Sequence, residues 1–334
     1  MEAFFRGLPV LVTGATGFIG SHLVERLVAL GASVRCLVRR TSRLGALPHG
    51  VELACGELAA AEGLEAAVRG VALVFHVAGV TKALRAEEFY RGNARATENL
   101  LRALGEDCRR LVHVSSLAAV GPSPDRRPLS EDAPPRPITY YGRSKLEAER
   151  AVLASPLAGR AVIVRPPVVY GPRDTDVLEV FRLIARGWMP SVGDADAAFS
   201  VIYVADLVDG LLAAAACEQA AGRTYFMACE QTVTWRGFGE AAGRVLGRRP
   251  RTIVVPWPLA SAAALVWEWA ARLSGRAAII SREKIREARC RGWVCDVLRA
   301  RRELGFTART SLEDGIERTV AWYREAGWLK VARK

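Results

Sequence analysis

The chain has 334 residues and a net charge of +12, enough length at roughly 150 residues per domain for two domains or one large one. Half of the residues are apolar, so a sizeable core can form. The basic excess rests on 42 arginines and only five lysines (Lys82, Lys145, Lys284, Lys330, Lys334), which reads first as a compositional bias of the genome. No dense basic run interleaved with aromatics is present, which argues against nucleic acid as a partner, while the charge suits anionic cofactors or a membrane surface.

The seven cysteines form no CxxC pair, and Cys290 and Cys295 have no histidine neighbour. No metal site is expected, and free thiols in a reducing cytoplasm are the simpler reading. The N-terminus, MEAFFRG, runs straight into an apolar strand without a signal-peptide cleavage pattern. No stretch is long and clean enough to cross a bilayer; the nearest, residues 257–273 (WPLASAAALVWEWAARL), is interrupted by Glu268. The expected location is cytoplasmic.

Short apolar runs recur at 9–13, 33–38, 71–77, 111–115 and 161–165, with helical periodicity between them at 20–30 and 95–105. Alternating strand and helix predicts an α/β fold, a doubly wound parallel sheet covered on both faces. Residues 121–137 (GPSPDRRPLSEDAPPRP) read as a surface loop. Beyond about residue 171 the pattern loosens. The expected division is a dinucleotide-binding domain over 1–170, with a return segment near 199–215, and a smaller substrate lobe formed mainly by 171–334.

Where the first strand meets the first helix, Gly14, Gly17 and Gly20 fall at a three-residue spacing. Gly14 would make the tight turn, Gly17 would let a pyrophosphate approach, and Gly20 would let helix pack on strand. The helix N-terminus would then supply N–H groups and a positive dipole end. Thr16, Phe18 and Ile19 belong to the same turn and join the candidate cofactor-binding residues. The end of the second strand is the next reporter, because a carboxylate there would bind the ribose hydroxyls of NAD. Instead the chain reads Arg39–Arg40–Thr41–Ser42–Arg43. Arg39 is placed to face a 2′-phosphate, with Arg40, Ser42 or Arg43 as helpers. NADP(H) is therefore the preferred cofactor and NAD(H) the second choice.

Tyr141 and Lys145 in YYGRSK (140–145) are four apart, on one face of a helix. An ammonium beside a phenol favours phenolate and lowers its pKa from about 10, making Tyr141 a usable acid or base near neutrality. Tyr140, whose i+4 neighbour is Ser144, is read as a packing residue. His22, His76 and His113 are read as structural, and Asp206 as a helix cap.

TGATGFIG (13–20), FHVAG (75–79), NARAT (93–97), VSSLAAVG (114–121), YGRSK (141–145) and RPPVVYGP (165–172) together resemble the extended short-chain dehydrogenase/reductase superfamily, the NAD-dependent epimerase/dehydratase family. FSVIYVADLVDG (199–210) and LGFTARTSLEDGIERTVAWY (304–323) fit its C-terminal lobe. The resemblance covers nearly the whole chain, and it implies a Rossmann-type fold with these roles. Tyr141 is the acid/base, and Lys145 tunes it and holds the nicotinamide ribose. Ser116, five residues before Gly121, binds the substrate oxygen in preference to Ser115. Asn93 matches a proton-relay asparagine, although Ala96 replaces the family's glycine. Ala78, Gly79 and Pro166 line the cofactor. Gly56–Glu57–Leu58 stands where the family has Gly-Asp-Leu, so Glu57 and Leu58 take the adenine contact with a longer side chain.

Three functions follow for a small-molecule enzyme of this kind. The first is an NADP(H)-dependent oxidoreductase interconverting a ketone and a secondary alcohol on an apolar, steroid-, terpenoid- or flavanone-like substrate. The VRCLVRR turn resembles that of dihydroflavonol-type reductases and 3β-hydroxysteroid dehydrogenase-like proteins. The second is a nucleotide-sugar epimerase with retained NAD(P). The third is a non-catalytic dinucleotide-binding regulator, which would be expected to lose Tyr141 or Lys145. Dehydration is disfavoured because Leu117 and Ala118, not an acidic pair, follow Ser116. The apolar stretch from Trp257 to Trp269 reads as packing between the lobes, as a cover over a hydrophobic substrate, or as a segment lying on a membrane surface. Family members dimerise through two helices of the sheet domain, so a homodimer is the expected assembly.

Overall fold

In a computed structural model describing residues 1–274, 282–290 and 292–329, the apolar runs become β1 (Pro9–Thr13), β2 (Ser33–Val38), β4 (Leu73–His76), β5 (Arg110–Val114) and β6 (Ala161–Arg165), with β3 (Glu52–Cys55) after β2. Then follow β7 (Val168–Tyr170), β8 (Trp188–Val192), β9 (Ala198–Phe199), β10 (Val201–Tyr203), β11 (Thr224–Phe226), β12 (Val233–Thr234), β13 (Arg251–Val255) and β14 (Gly292–Trp293). The main sheet has seven strands in the order β11-β6-β5-β4-β1-β2-β3, and every neighbouring pair is parallel. Edge strand β3 escapes the apolar pattern because Glu52 and Leu53 face solvent. β11 lies well past residue 171 and still returns to this sheet.

The inner strands are buried on both faces, which is why they read as continuous apolar runs. Val10 and Val12 point to one side, where they meet Leu23 and Leu27 of α1 (Phe18–Ala29). Leu11 points to the other, with Leu100 of α2 (Ala96–Ala103) and Val152 of α3 (Tyr140–Ala154). The smaller lobe has its own core. Phe181 of α4 (Asp176–Ala185) packs there; α5 (Val204–Ala216) instead adds Leu207 and Leu211 to the first core. Phe238 of α6 (Trp235–Leu246) belongs to the smaller lobe's core, followed in the chain by α7 (Trp257–Ser274) and α8 (Arg282–Ala288), and Ile316 and Tyr323 of α9 (Leu312–Glu325) complete it.

Strand order reverses between β1 and β4, so a crevice opens at their C-terminal ends, the usual ligand position in such sheets. Residues 121–137 form a loop, but not one confined to the surface. Glu131 is buried there because its carboxylate accepts from the Phe226 N–H at 3.0 Å. Asp206 does not cap α5. It sits in the helix's first turn, and its carboxylate accepts from the Thr310 N–H at 3.0 Å. No described helix is long and apolar enough to cross a membrane, and no group of three or more potential ligands is poised for a metal among the described residues.

Candidate active site

A cleft of about 1640 Å³ runs from the β1–α1 turn to the smaller lobe. Gly14 has φ +70°, and a Cβ there would lie 2.6 Å from the Ala78 nitrogen. It therefore serves two needs, the turn and the approach of the chain leaving β4. A Cβ on Gly20 would lie 2.1 Å from the Gly14 carbonyl oxygen, so only glycine lets the helix start against its own turn. Gly17 is the N-cap of α1 and offers no side-chain cap. The first-turn N–H groups of Phe18, Ile19 and Gly20 have no intrahelical acceptor and, with Thr16, border the cleft. This is a side-chain-free cradle of unpaired donors at a positive dipole end, and it fits a dinucleotide diphosphate.

At one end of the cleft, Arg39 and Ser42 form part of the wall, as do Glu57 and Leu58. The Ser42 hydroxyl accepts from the Arg39 N–H at 3.0 Å, which shapes the turn after β2. Arg40 and Arg43 do not reach the wall. They lie exposed on the turn after β2, where Arg39, exposed as well, is the one of the three arginines that borders the cleft, so the placement does not bring the other two to the expected phosphate site. Glu57 bends back toward its own loop, its carboxylate accepting from the Ala59 N–H at 3.5 Å.

The floor of the other end is built by three elements. β5 ends at Val114, and Ser116 caps the short turn after it, its Oγ accepting from the Ala118 N–H at 3.1 Å. α3 starts with Thr139, whose Oγ1 accepts from the Gly142 N–H at 3.1 Å. That start places Tyr141 on the cleft lining together with Ser116, whose side chain acts on the phenol. Ala78, Gly79 and Pro166 complete the floor. Ser115, the unchosen neighbour, is buried with its hydroxyl unpartnered. Tyr140 is exposed, and its N–H donates to Glu283 Oε2 at 2.6 Å.

Two features differ from the sequence reading. The Lys145 ammonium donates to the Val114 carbonyl at 2.6 Å, and burial lowers its pKa to about 8. Burial likewise pushes the Tyr141 phenol up, to about 12, against the pull of the Ser116 side chain, so the lowered phenol expected from the spacing is not met. Dehydration of the phenolate outweighs everything else, so the tyrosine is protonated at neutral pH. Asn93 differs as well. It lies in a π-helical turn (Arg91–Arg95) behind the cleft, and three hydrogen bonds hold its side chain there, both Nδ2 protons among them. Its Oδ1 accepts from the Val80 N–H at 2.7 Å, and its Nδ2 donates to the Val80 carbonyl at 3.0 Å and to Ser144 Oγ at 2.8 Å. Ser144 in turn donates to the Tyr141 carbonyl at 2.8 Å. Asn93 thus clamps the loop after β4 to α3.

The histidines are structural. His76 bridges Thr13 Oγ1 at 2.7 Å and Thr97 Oγ1 at 2.9 Å, while Thr97 donates to the Asn93 carbonyl at 2.7 Å. With the Thr97 proton committed, His76 Nε2 must donate, and Nδ1 must accept from Thr13. Burial holds this imidazole neutral, its pKa near 3. His113 lies beside it, rings 5.2 Å apart, buried and pushed down in the same way.

Of the alternatives the sequence left for the apolar stretch, a cover over the substrate is not met by its described side chains: none of residues 257–267 borders the cleft. α8 does so instead, with Glu283, Lys284, Arg286 and Glu287, and Lys82 and Asp176, which form an ion pair, border the same cleft. Burial raises the Glu287 carboxyl to about 7. Burial also lifts Asp174 to about 6. Apolar wall comes from Phe89, Val192, Phe199, Trp235 and Trp293. Ser144 could have been suspected from its place between Tyr141 and Lys145. The α8 residues, some 140 positions from Tyr141, carry no local signal.

This parallel sheet, with its glycine cradle and a serine and a tyrosine beside a buried lysine, defines a dinucleotide-binding enzyme of the short-chain dehydrogenase/reductase class. The NAD dependent epimerase/dehydratase family model matches residues 10–228, and the chain belongs to that family. It is 34% identical over 328 residues to a ceramide reductase of Caulobacter vibrioides, covering 96% of each chain. It is 32% identical to a 4-hydroxy-2-methyl-3-oxo-4-farnesyl-3,4-dihydroquinoline-1-oxide ketoreductase of Stigmatella aurantiaca, covering 92% of this chain and 94% of that one. Among solved structures, MoeE5 in complex with UDP-glucose and NAD superposes with a TM-score of 0.75 at 29% identity, covering 95% of this chain and 99% of that one. The protein is an NAD(P)-dependent oxidoreductase of the extended short-chain type, and its cofactor is a nicotinamide dinucleotide.

Proposed function

We propose that this enzyme reduces a ketone to a secondary alcohol on a substrate with a large apolar part, with NADP(H) as preferred cofactor and Tyr141 as proton donor. The observation that carries this reading is Tyr141 on the cleft lining with Ser116 and Lys145, its phenol raised by burial and so protonated at neutral pH. A protonated phenol is an acid, which suits reduction. Arg39 on the wall, without a carboxylate at the end of β2, supports NADP(H) over NAD(H). The names of the two reductases above, one acting on a ceramide and one on a farnesylated ketone, support an apolar substrate. The aromatic wall suits the apolar part and the α8 charges suit polar groups beside the ketone, with 171–334 as mainly the substrate lobe.

The first-turn N–H groups of α1 would hold the diphosphate, Arg39 and Ser42 the 2′-phosphate, Glu57 and Leu58 the adenine, and Lys145 the nicotinamide ribose. Bound there, the reduced cofactor supplies the hydride equivalent that protein side chains cannot. Ser116 and Tyr141 line the same cleft, and a carbonyl oxygen bound between their hydroxyls would accept from both. As that oxygen gains negative charge, Tyr141 passes it the proton. Asn93 and Ser144 keep α3 in register with the loop after β4, and α8 shields the floor from water.

The test is NADPH and NADH consumption with long-chain oxo-lipids, prenylated ketones and UDP-glucose, with products identified by mass. NADPH-linked reduction of an apolar ketone is expected. The epimerase reading, favoured by the MoeE5 likeness, would replace ours if NAD co-purifies tightly and UDP-glucose is interconverted without net consumption of NADPH.

A further inference from the structure

The helix displaced from the cleft needs another explanation. Along its described side chains, α7 buries only Ala260 and Ala264, against Ile285, Val192 and Val255. Trp257, Leu259, Leu265, Val266 and Trp267 face solvent, Leu259 at 64% and Val266 at 70% exposure. The strand leading into it is bare too. β13 exposes Ile253 and Val254, and it pairs with β8, which exposes Trp188 opposite Arg251. A helix apolar on nearly every side is found either buried or against lipid.

The charges point to the occupant. From residue 241 to 267 the chain has four arginines and no acidic residue. Arg244 pairs with Glu313. Arg248, Arg249 and Arg251 have no ion-pair partner among the described residues, and Arg186 lies exposed just before Trp188. The Arg289 guanidinium sits 4.4 Å over the Trp257 ring, at the start of α7. Tryptophan and arginine rimming an aliphatic surface is the pattern of a lipid headgroup boundary. A second copy would bring the same unpaired arginines to the contact.

We infer that the β8–β13 edge and α7 form a docking surface for an anionic phospholipid bilayer, on which the protein lies without crossing it. Trp188, Ile253, Val254, Trp257, Leu259 and Val266 enter the headgroup boundary, and Arg248, Arg249 and Arg251 meet its negative charge. Ile285 on α8 packs against α7, while Glu283 and Glu287 of the same short helix line the cleft. The docked enzyme thus holds its substrate opening one helix away from the membrane. Docking stands on the surface alone and does not depend on which reaction the cleft performs.

The experiment is co-sedimentation of the full chain with phosphatidylcholine vesicles, with and without phosphatidylglycerol, at low and high salt. Binding to the anionic vesicles alone, weakened by salt and accompanied by a blue shift of tryptophan emission, is expected. Replacing Arg248, Arg249 and Arg251 by Gln should weaken partitioning about a hundredfold, at roughly tenfold or less per arginine. The double variant Leu259→Glu, Val266→Glu should abolish it while leaving dinucleotide binding and the melting temperature unchanged. The inference is overturned if the wild-type chain stays in the supernatant with anionic vesicles at low salt, or if the double variant sediments like the wild type. It is also overturned if the double variant converts a dimer to a monomer without changing vesicle binding.

Discussion

Replacing Lys145 with Met should remove turnover and yet make the folded chain more stable at pH 7. Burial lowers this ammonium from 10.5 to about 8. At about 1.36 kcal/mol per unit, keeping it charged inside the protein at pH 7 costs about 3 kcal/mol. Methionine keeps the apolar stem and carries no charge. It forfeits the 2.6 Å hydrogen bond to the Val114 carbonyl, a loss of about 1–2 kcal/mol. The net gain is about 1–2 kcal/mol. The pH dependence is the sharper test. Between about pH 8 and 10.5 the unfolded wild-type chain still binds a proton that the folded chain has released, so wild-type stability rises with pH across that window. Position 145 of the variant does not titrate. Its advantage should therefore be full below pH 8, shrink above it, and be gone by about pH 10. Urea midpoints read by tryptophan fluorescence at pH 7 and 9.5, without added nucleotide, measure the difference. A variant less stable than wild type at pH 7, or a gap that ignores pH, would refute the account of Lys145 as a charge held at a cost for its function.

Tyr141→Phe should lower kcat by at least about a thousandfold while nucleotide titration gives wild-type affinity; near-normal turnover would remove Tyr141 from the mechanism. Arg39→Asp should weaken NADPH by about tenfold or more and leave NADH within a few-fold, and equal losses measured by fluorescence titration would sink the 2′-phosphate assignment. Gly20→Ala places a Cβ 2.1 Å from the Gly14 carbonyl oxygen, so binding of either dinucleotide should be lost even if the chain folds; calorimetry showing unchanged affinity would contradict the cradle. His76→Leu leaves the Thr13 hydroxyl proton without its acceptor and removes the donor to Thr97 Oγ1, which should cost about 1–3 kcal/mol in denaturant unfolding; an unchanged urea midpoint would show that the bridge is dispensable.

What could be read from the sequence follows from the range of the physics involved. The glycine turn was legible because its constraints are local: a positive φ at Gly14 and a backbone contact six residues away at Gly20. The parallel sheet was legible because strands buried on both faces must be apolar at every position, and the solvated edge strand β3 lacks that signature. Tyr141 and Lys145 were legible as partners on one face of a helix, but their ionisation was not. The sequence spacing brings an ammonium near a phenol and says nothing of the Val114 carbonyl that takes it, or of how little water surrounds either group. Arg39 was singled out by its place at the end of β2, whereas the course of the turn after it, which leaves Arg40 and Arg43 off the cleft wall, could not be read from the sequence.

The cover over the substrate was not legible for a different reason. Residues 257–267 are apolar enough to demand burial, and the sequence left three surfaces for them: the cleft, a membrane or the seam between the lobes. Hydrophobic patterning reports that a face must leave water, not what it must meet. The cleft is instead closed by α8, whose REKIREA sequence is mostly charged. Its one large aliphatic residue, Ile285, is what α7 holds, so the apolar helix supports the cover without being it. That arrangement leaves one side of α7 committed to α8 and the other described side chains exposed, so of the surfaces the sequence left for this stretch the bilayer is the one that still lacks its contact.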